Sequence, residues 1–200
     1  MLRFVTEKDL TAYMAAGDPL ADHLGQVASV GERWLRENPA KRMIAWGLYG
    51  DLLSSAGRRV LDVGACSSSL TRKLRTVHDY TVCDLGEHDG RVGVDWRDLP
   101  DDTYDVVIAN DLFPNVDQGL RAFLTRYHGT CDLRLSLTVY EDKHYRTRRV
   151  NADELLTVQA WDWPQTRSVL ADYGVRIGEA QHTPAESLFP NGRQVALLRC

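Results

Sequence analysis

The stretch from Arg58 to Leu74, RRVLDVGACSSSLTRKL, constrains the chain more than any other. Val60 to Val63 is an apolar run interrupted by one acid, Asp62. Gly64 breaks it, small residues follow, and Leu70 and Leu74 resume at helical spacing. The pattern predicts strand, tight loop, helix. In an open α/β sheet, such a loop at the carboxyl end of a parallel strand is where a nucleotide-like ligand binds.

The rest of the chain repeats this alternation. Tyr80 to Asp84, Arg91 to Asp95, Tyr104 to Ala109 and the alternating Leu133, Leu135, Leu137 and Val139 read as strands. Leu120, Phe123 and Leu124 mark one helix and Pro164 to Tyr173 another, while Val175 to Ile177 and Gln194 to Leu198 read as two closing strands. Strands alternating with helices predict a mostly parallel, layered sheet. Only Leu85 to Gly90 separate the second and third strands, where a helical crossover needs about a dozen residues or more. Either that helix is lost, as expected, or one of the two strands is wrongly assigned. Upstream, Met1 to Asp18 is a short mixed segment. Leu20, Leu24, Val27, Val30 and Leu35, then Met43, Ile44, Leu48, Leu52 and Leu53, give two helical faces. Residues 1–57 read as a helical N-terminal extension that could act as a lid, and 58–200 as the ligand-binding domain, the two forming one structural unit. Glu141 to Asn151 reads as a polar, basic connecting segment.

Composition narrows the function classes. A formal net charge of −4 over 200 residues disfavours a long nucleic acid as partner, because phosphate-binding domains usually show a basic face. Cys66, Cys83, Cys131 and Cys200 are far apart and read as reduced thiols of a cytoplasmic protein, with no metal site. No leader pattern or 18-residue apolar span is present, so no membrane partner is expected.

Asp84 follows Gly64 by about 20 residues and ends the next strand, the placement of an acid that accepts hydrogen bonds from a ribose diol. A nicotinamide dinucleotide would need a second loop glycine where Cys66 stands and a third where Ser69 stands. A Cβ there obstructs a pyrophosphate, whereas adenosine without phosphates is tolerated. Asp95 could accept from an adenine amine, with Trp96 offering a ring to the base, a contact worth about 1 to 3 kcal/mol in nucleic acids. The alternative is that Trp96 is core.

Taken together, Arg59 to Gly64, Asp84, Asp95 to Pro100 and Tyr104 to Ala109 resemble the successive motifs of class I S-adenosylmethionine-dependent methyltransferases. The resemblance covers about half the chain, Val60 to Val116, and rests on the order and spacing of four motifs. It implies a Rossmann-like seven-stranded sheet with an antiparallel last strand. It also implies S-adenosylmethionine as cofactor, with Gly64, Ala65 and Cys66 around its amino-acid part together with Asp62. Asp84 and Leu85 would meet the ribose, Asp95 and Trp96 the adenine, and Asn110 would close the site. Arg42 takes the place of a group that contacts the cofactor's carboxylate in some relatives. Cys66 and Ser68 replace family glycines, and Asn115 stands where many relatives carry a histidine.

The function that follows is methyl transfer, by direct in-line displacement, to an oxygen or nitrogen of a small-molecule acceptor. Asp111 and His144, just beyond the fourth and fifth strands, are the candidate general bases. Phe113, Tyr140, Tyr145 and Arg146 are candidates for the acceptor pocket. The rival readings are a catalytically silent binding or partner protein of the same fold and a nicotinamide-dependent reductase. The assembly could be a monomer or a homodimer.

Overall fold

The computed structural model describes residues 1–26, 29–86, 93–141, 144–149, 154–159, 161–178 and 181–200, apart from the side chains of Val30, 144–149 and 154–159. In chain order these form β1 (Leu2–Phe4), α1 (Glu7–Ala15), α2 (Val30–Glu37), α3 (Pro39–Tyr49), β2 (Arg59–Val63), α4 (Ser69–Val77) and β3 (Asp79–Cys83). There follow β4 (Val106–Asn110), α5 (Leu120–Tyr127), β5 (Asp132–Val139), β6 (His144–Arg149), β7 (Glu154–Gln159), α6 (Trp163–Asp172) and β8 (Gln194–Arg199).

Alternation along β5 shows how the layers arise. Leu133, Leu135, Leu137 and Val139 enter one hydrophobic cluster with Phe123, Leu124, Trp163 and Leu170 of α5 and α6. Arg134 faces the opposite layer, where its Nη1 donates to the Leu48 carbonyl of α3 at 2.7 Å. Successive strand side chains point to opposite faces, so a strand with apolar residues on one face and satisfied polar groups on the other can sit between two helical layers. Val60, Val106 and Ile108 join α3 and α4 in the second cluster. Leu61, fully buried in the first, illustrates the scale: burying a leucine side chain stabilises by about 1.5 to 3 kcal/mol.

The main sheet has six strands in the order β1-β8-β5-β4-β2-β3. β3, β2, β4 and β5 are mutually parallel, and β8 is antiparallel to β5, as expected for the last strand. The seventh strand of the expected sheet is not among the described residues. Val175 to Ile177, expected as a closing strand, makes only an isolated bridge from Ile177 to Leu2. β1 takes the place beside β8, with Leu2 opposite Leu198 and Phe4 opposite Ala196. Its two apolar residues are buried and Arg3 is exposed, so even three residues bury a complete strand face. Gly93 to Asp95, expected in the third strand, are not in a strand. Instead Val94 N donates to Asp84 O at 2.9 Å, which folds this segment onto the end of β3. Arg91, and most of the span from Leu85 to Gly90, lie outside the described residues.

The polar segment expected as a connection contains β6, paired antiparallel with β7 in a separate two-stranded ribbon. The ribbon leaves the sheet from the carboxyl end of β5, and Tyr140 N donates to Trp161 O at 3.1 Å across its base. Among the described residues no helix is long and apolar enough to cross a membrane.

Candidate functional site at the carboxyl edge of the sheet

β2 lies between β3 and β4. From β2 the chain passes through α4 to one side and later returns to the other, so the order reverses between β2 and β4. The crevice outside the carboxyl ends of strands at such a reversal is the ligand position of open α/β sheets. Gly64 opens it with φ +75°, a left-handed conformation that glycine adopts without steric cost. Its N–H donates to Cys83 O at 2.7 Å. An added Cβ would lie 3.3 Å from the Leu112 side chain, which covers the loop from the β4 side.

Ser68 then caps α4, its hydroxyl accepting from Thr71 N while the Thr71 side chain returns to the Ser68 backbone. Such a reciprocal cap fixes where the helix starts. Asp84, at the end of β3, accepts from Gly86 N at 2.7 Å. Its charge lies near the loop: burial, then Asp84 and Asp62, push the Cys66 thiol up to about 11, so Cys66 is a protonated, inert wall of the crevice. Gly64, Ala65, Cys66, Asp84, Leu85 and Asn110 thus gather at one edge.

Asp62 is placed differently. Its side chain turns into the α3 and α4 layer, fully buried, and accepts from Tyr49 Oη at 3.1 Å and from Tyr80 Oη. The two phenol donors favour the ionised form, yet burial outweighs them and pushes the carboxyl up to about 7, with the Asp84 charge adding to the rise. Both carboxyl oxygens are committed beneath the crevice.

At the end of β4, Asn110 Oδ1 accepts from Ser136 Oγ at 2.7 Å. Asp111 adopts φ 57°, a region that Asp tolerates better than most residues. Four neighbours hold it there. Ser136 Oγ accepts from its N–H at 2.7 Å, Thr138 Oγ1 and Asn115 Nδ2 donate to Oδ1 at 2.7 and 3.4 Å, and Arg193 Nη1 donates to Oδ2 at 2.6 Å. Both Asp111 oxygens are thus engaged, one of them in an ion pair.

Other expected site residues are also committed elsewhere. Trp96 lies in the core with its ring against the edges of Phe113 and Phe123, its Nε1–H on Asp117 at 2.8 Å and the Arg97 guanidinium 4.5 Å from its centroid. The core alternative describes it, not a platform for a base. Asp95 accepts from Arg97 N at 2.9 Å and pairs with the Arg97 side chain. Phe113 is buried in the same aromatic cluster, closed off from an acceptor. Arg42 grips Asp18, with Nη2 at 2.6 Å, and donates to the Leu35 and Arg36 carbonyls that end α2. No donor of its fork is directed to the crevice. Tyr140 is buried at the β5 end, where its Oη accepts from Asn191 Nδ2 at 3.3 Å. His144, Tyr145 and Arg146 lie in β6 opposite Gln159, Val158 and Thr157, and their side chains are outside the described residues. Among the described residues no group of three or more His, Cys, Asp or Glu side chains could hold a metal ion.

Sequence reasoning missed three participants. Leu112 and Arg193 reach the edge through long-range packing that no local pattern signals. Glu32 had a signal, the Ser29-x-x-Glu32 spacing of a helix start. Its side chain instead crosses to the loop, where Oε2 accepts from Ser69 N at 2.7 Å.

No family model matches the chain, and no curated protein does. Among solved structures, the N-terminal domain of EvdMO1 with S-adenosylhomocysteine bound aligns with a TM-score of 0.54 and 14% identity, over 94% of this chain and 97% of that one. The Burkholderia thailandensis 1,6-didemethyltoxoflavin-N1-methyltransferase, with bound 1,6-didemethyltoxoflavin and S-adenosylhomocysteine, aligns at 0.49 and 18% identity, over 98% and 91%. Magnesium protoporphyrin IX methyltransferase from Synechocystis PCC 6803, with bound S-adenosylmethionine, aligns at 0.47 and 18% identity, over 96% and 97%. The chain shares its fold with the S-adenosylhomocysteine-bound domain of EvdMO1.

Proposed function

We propose that the chain binds S-adenosylmethionine in the crevice at Gly64 and transfers its methyl group to an oxygen or nitrogen of a small-molecule acceptor. The observation that carries this reading is the convergence of the Gly64 loop and the Asp84 carboxylate on the strand-order reversal, in a fold shared with a domain that holds S-adenosylhomocysteine. The residues present fit such a ligand. Asp84 would accept from the ribose hydroxyls, the backbone of Gly64 to Ser67 would line the amino-acid end, and Leu112 would pack against it. Cys66 and Ser69, where a dinucleotide loop carries glycines, disfavour a pyrophosphate.

The bound cofactor would supply a methyl group already activated on a sulfonium. The chain's own contribution would be alignment and exclusion of water, and alignment alone is worth up to about 7 to 11 kcal/mol in model reactions. With Asp111 paired to Arg193, in-line displacement on an uncharged amine or a pre-ionised hydroxyl needs no base from β4. The acceptor would enter between Asn110, Tyr140 and the β6–β7 ribbon, and residues 1–57 would cover the cofactor side, α2 acting as the lid.

Thermal unfolding with S-adenosylmethionine, S-adenosylhomocysteine or NADPH tests the reading. A ligand of the native state at about 100 times its dissociation constant adds about 2.7 kcal/mol, which at this chain length raises the midpoint by roughly 5 to 11 °C. The expected result is a rise with the first two ligands that Asp84→Ala abolishes. No rise with either, or a rise with NADPH alone, would overturn it.

A further inference from the structure

We propose that Glu32 receives the ammonium group of the cofactor's amino-acid end, an inference that rests on the cofactor reading above. Asp62 lies on β2 just before the loop, but both of its oxygens are taken by Tyr49 and Tyr80. Glu32 reaches the same loop from α2. Its side chain is fully buried.

α2 is seated directly on the loop. A Cβ added at Gly31 would stand 2.8 Å from Cys66 Cβ and 3.1 Å from Ser67 O. Ser29 caps α2 through Glu32 N at 3.2 Å, and a reciprocal cap would send the Glu32 carboxylate back to the Ser29 N–H. It goes to the loop instead. Oε2 accepts from Ser69 N, and Oε1 is buried without a hydrogen-bond partner. Arg36 Nε stands 3.8 Å from Oε1 on a half-exposed side chain that also reaches Gly25 O. A carboxylate removed from water is stable only when a cation or a full set of donors surrounds it, and one N–H plus a distant, half-solvated guanidinium is neither. The amino-acid end of the proposed ligand carries an ammonium with three N–H donors. One of these donors would complete the Oε1 site.

Calorimetric titration with three ligands tests this: S-adenosylhomocysteine, its desamino analogue, and 5′-methylthioadenosine, which lacks the whole amino-acid end. Wild type is expected to bind S-adenosylhomocysteine about 10 to 100-fold more tightly than the desamino analogue, the range of a charge-assisted hydrogen bond. In Glu32→Gln, which keeps an acceptor for Ser69 N, that difference should vanish while 5′-methylthioadenosine binds as in wild type. Equal weakening of all three ligands would mean that Glu32 only braces α4, and would overturn the assignment. So would a discrimination that survives in the variant. If wild type bound none of the three, the cofactor reading itself would fall, and the assignment with it.

Discussion

Arg193→Met should lower the stability of the folded chain by about 3 kcal/mol, the low end of the cost of stripping one partner from a buried ion pair, because Asp111 keeps some solvent contact. Arg193 is buried, its guanidinium lies 3.9 Å from the centroid of Phe189, and its Nη1 holds Asp111 Oδ2. Removing it leaves a carboxylate at φ 57° with only hydroxyl and amide partners. At this chain length the loss corresponds to a fall of roughly 6 to 12 °C in the melting midpoint. Adding Asp111→Asn should recover most of it, because asparagine tolerates the same backbone region and leaves no buried charge. Urea unfolding of both single variants and the double variant closes the cycle. A loss below about 1 kcal/mol in Arg193→Met would mean that the pair does not act as a buried unit. It would also return Asp111 to the list of candidate bases.

The second large effect is a pH dependence. Burial pushes the Asp62 carboxyl up to about 7, whereas the unfolded chain releases that proton near 3.9. Between these values the folded protein binds a proton that the unfolded chain has lost. The contribution is complete below pH ~4, declines as pH rises to about 7, and then levels. At about 1.4 kcal/mol per pH unit, the span amounts to about 4 kcal/mol. Asp62→Asn keeps an acceptor for Tyr49 or Tyr80 but cannot ionise, so its stability should lose this slope. His23, whose pKa is lowered by burial and by Lys73, acts in the opposite direction, which makes the difference between variant and wild type the informative quantity. Chemical denaturation at pH 5 and pH 8 measures it. Identical pH slopes in the two proteins would contradict the account of Asp62 as a buried neutral acid.

These two residues also mark how far the sequence could be read. The run from Arg58 to Leu74 announced β2, the Gly64 turn and α4, because all three signals are local: an apolar run, a glycine at positive φ, and leucines four apart. The same holds for β4, β5, α5 and α6, whose apolar periodicities coincide with buried faces. What stayed hidden depends on partners distant in sequence. β1 is only three residues long and exists because β8 offers an edge. β6 carries His144, Tyr145, Arg146 and two further arginines with no apolar alternation, so only its pairing with β7 makes it a strand.

The site divides in the same way. Gly64, Cys66, Asp84 and Asn110 could be placed at one sheet edge from the sequence because they follow strand ends, where open α/β sheets carry their crevice. For Trp96 the sequence left a ligand platform and a core position open, because an acid beside an aromatic at an expected strand end looks the same whether the ring faces a ligand or Phe123. The ion pair of Asp111 had no local signal because its partner, Arg193, is 82 residues away. Asp62 belongs to the motif by position, yet two tyrosines from α3 and β3 withdraw it from the crevice.

The central claim is that the carboxyl edge at Gly64 holds the adenosyl cofactor. A crystal structure of the chain with S-adenosylhomocysteine tests it most directly. The account predicts the ribose hydroxyls within hydrogen-bond distance of the Asp84 carboxylate and the amino-acid end over Gly64 to Ser67, beneath α2. A ligand seated elsewhere, or a crevice that stays empty at saturating ligand, would contradict it.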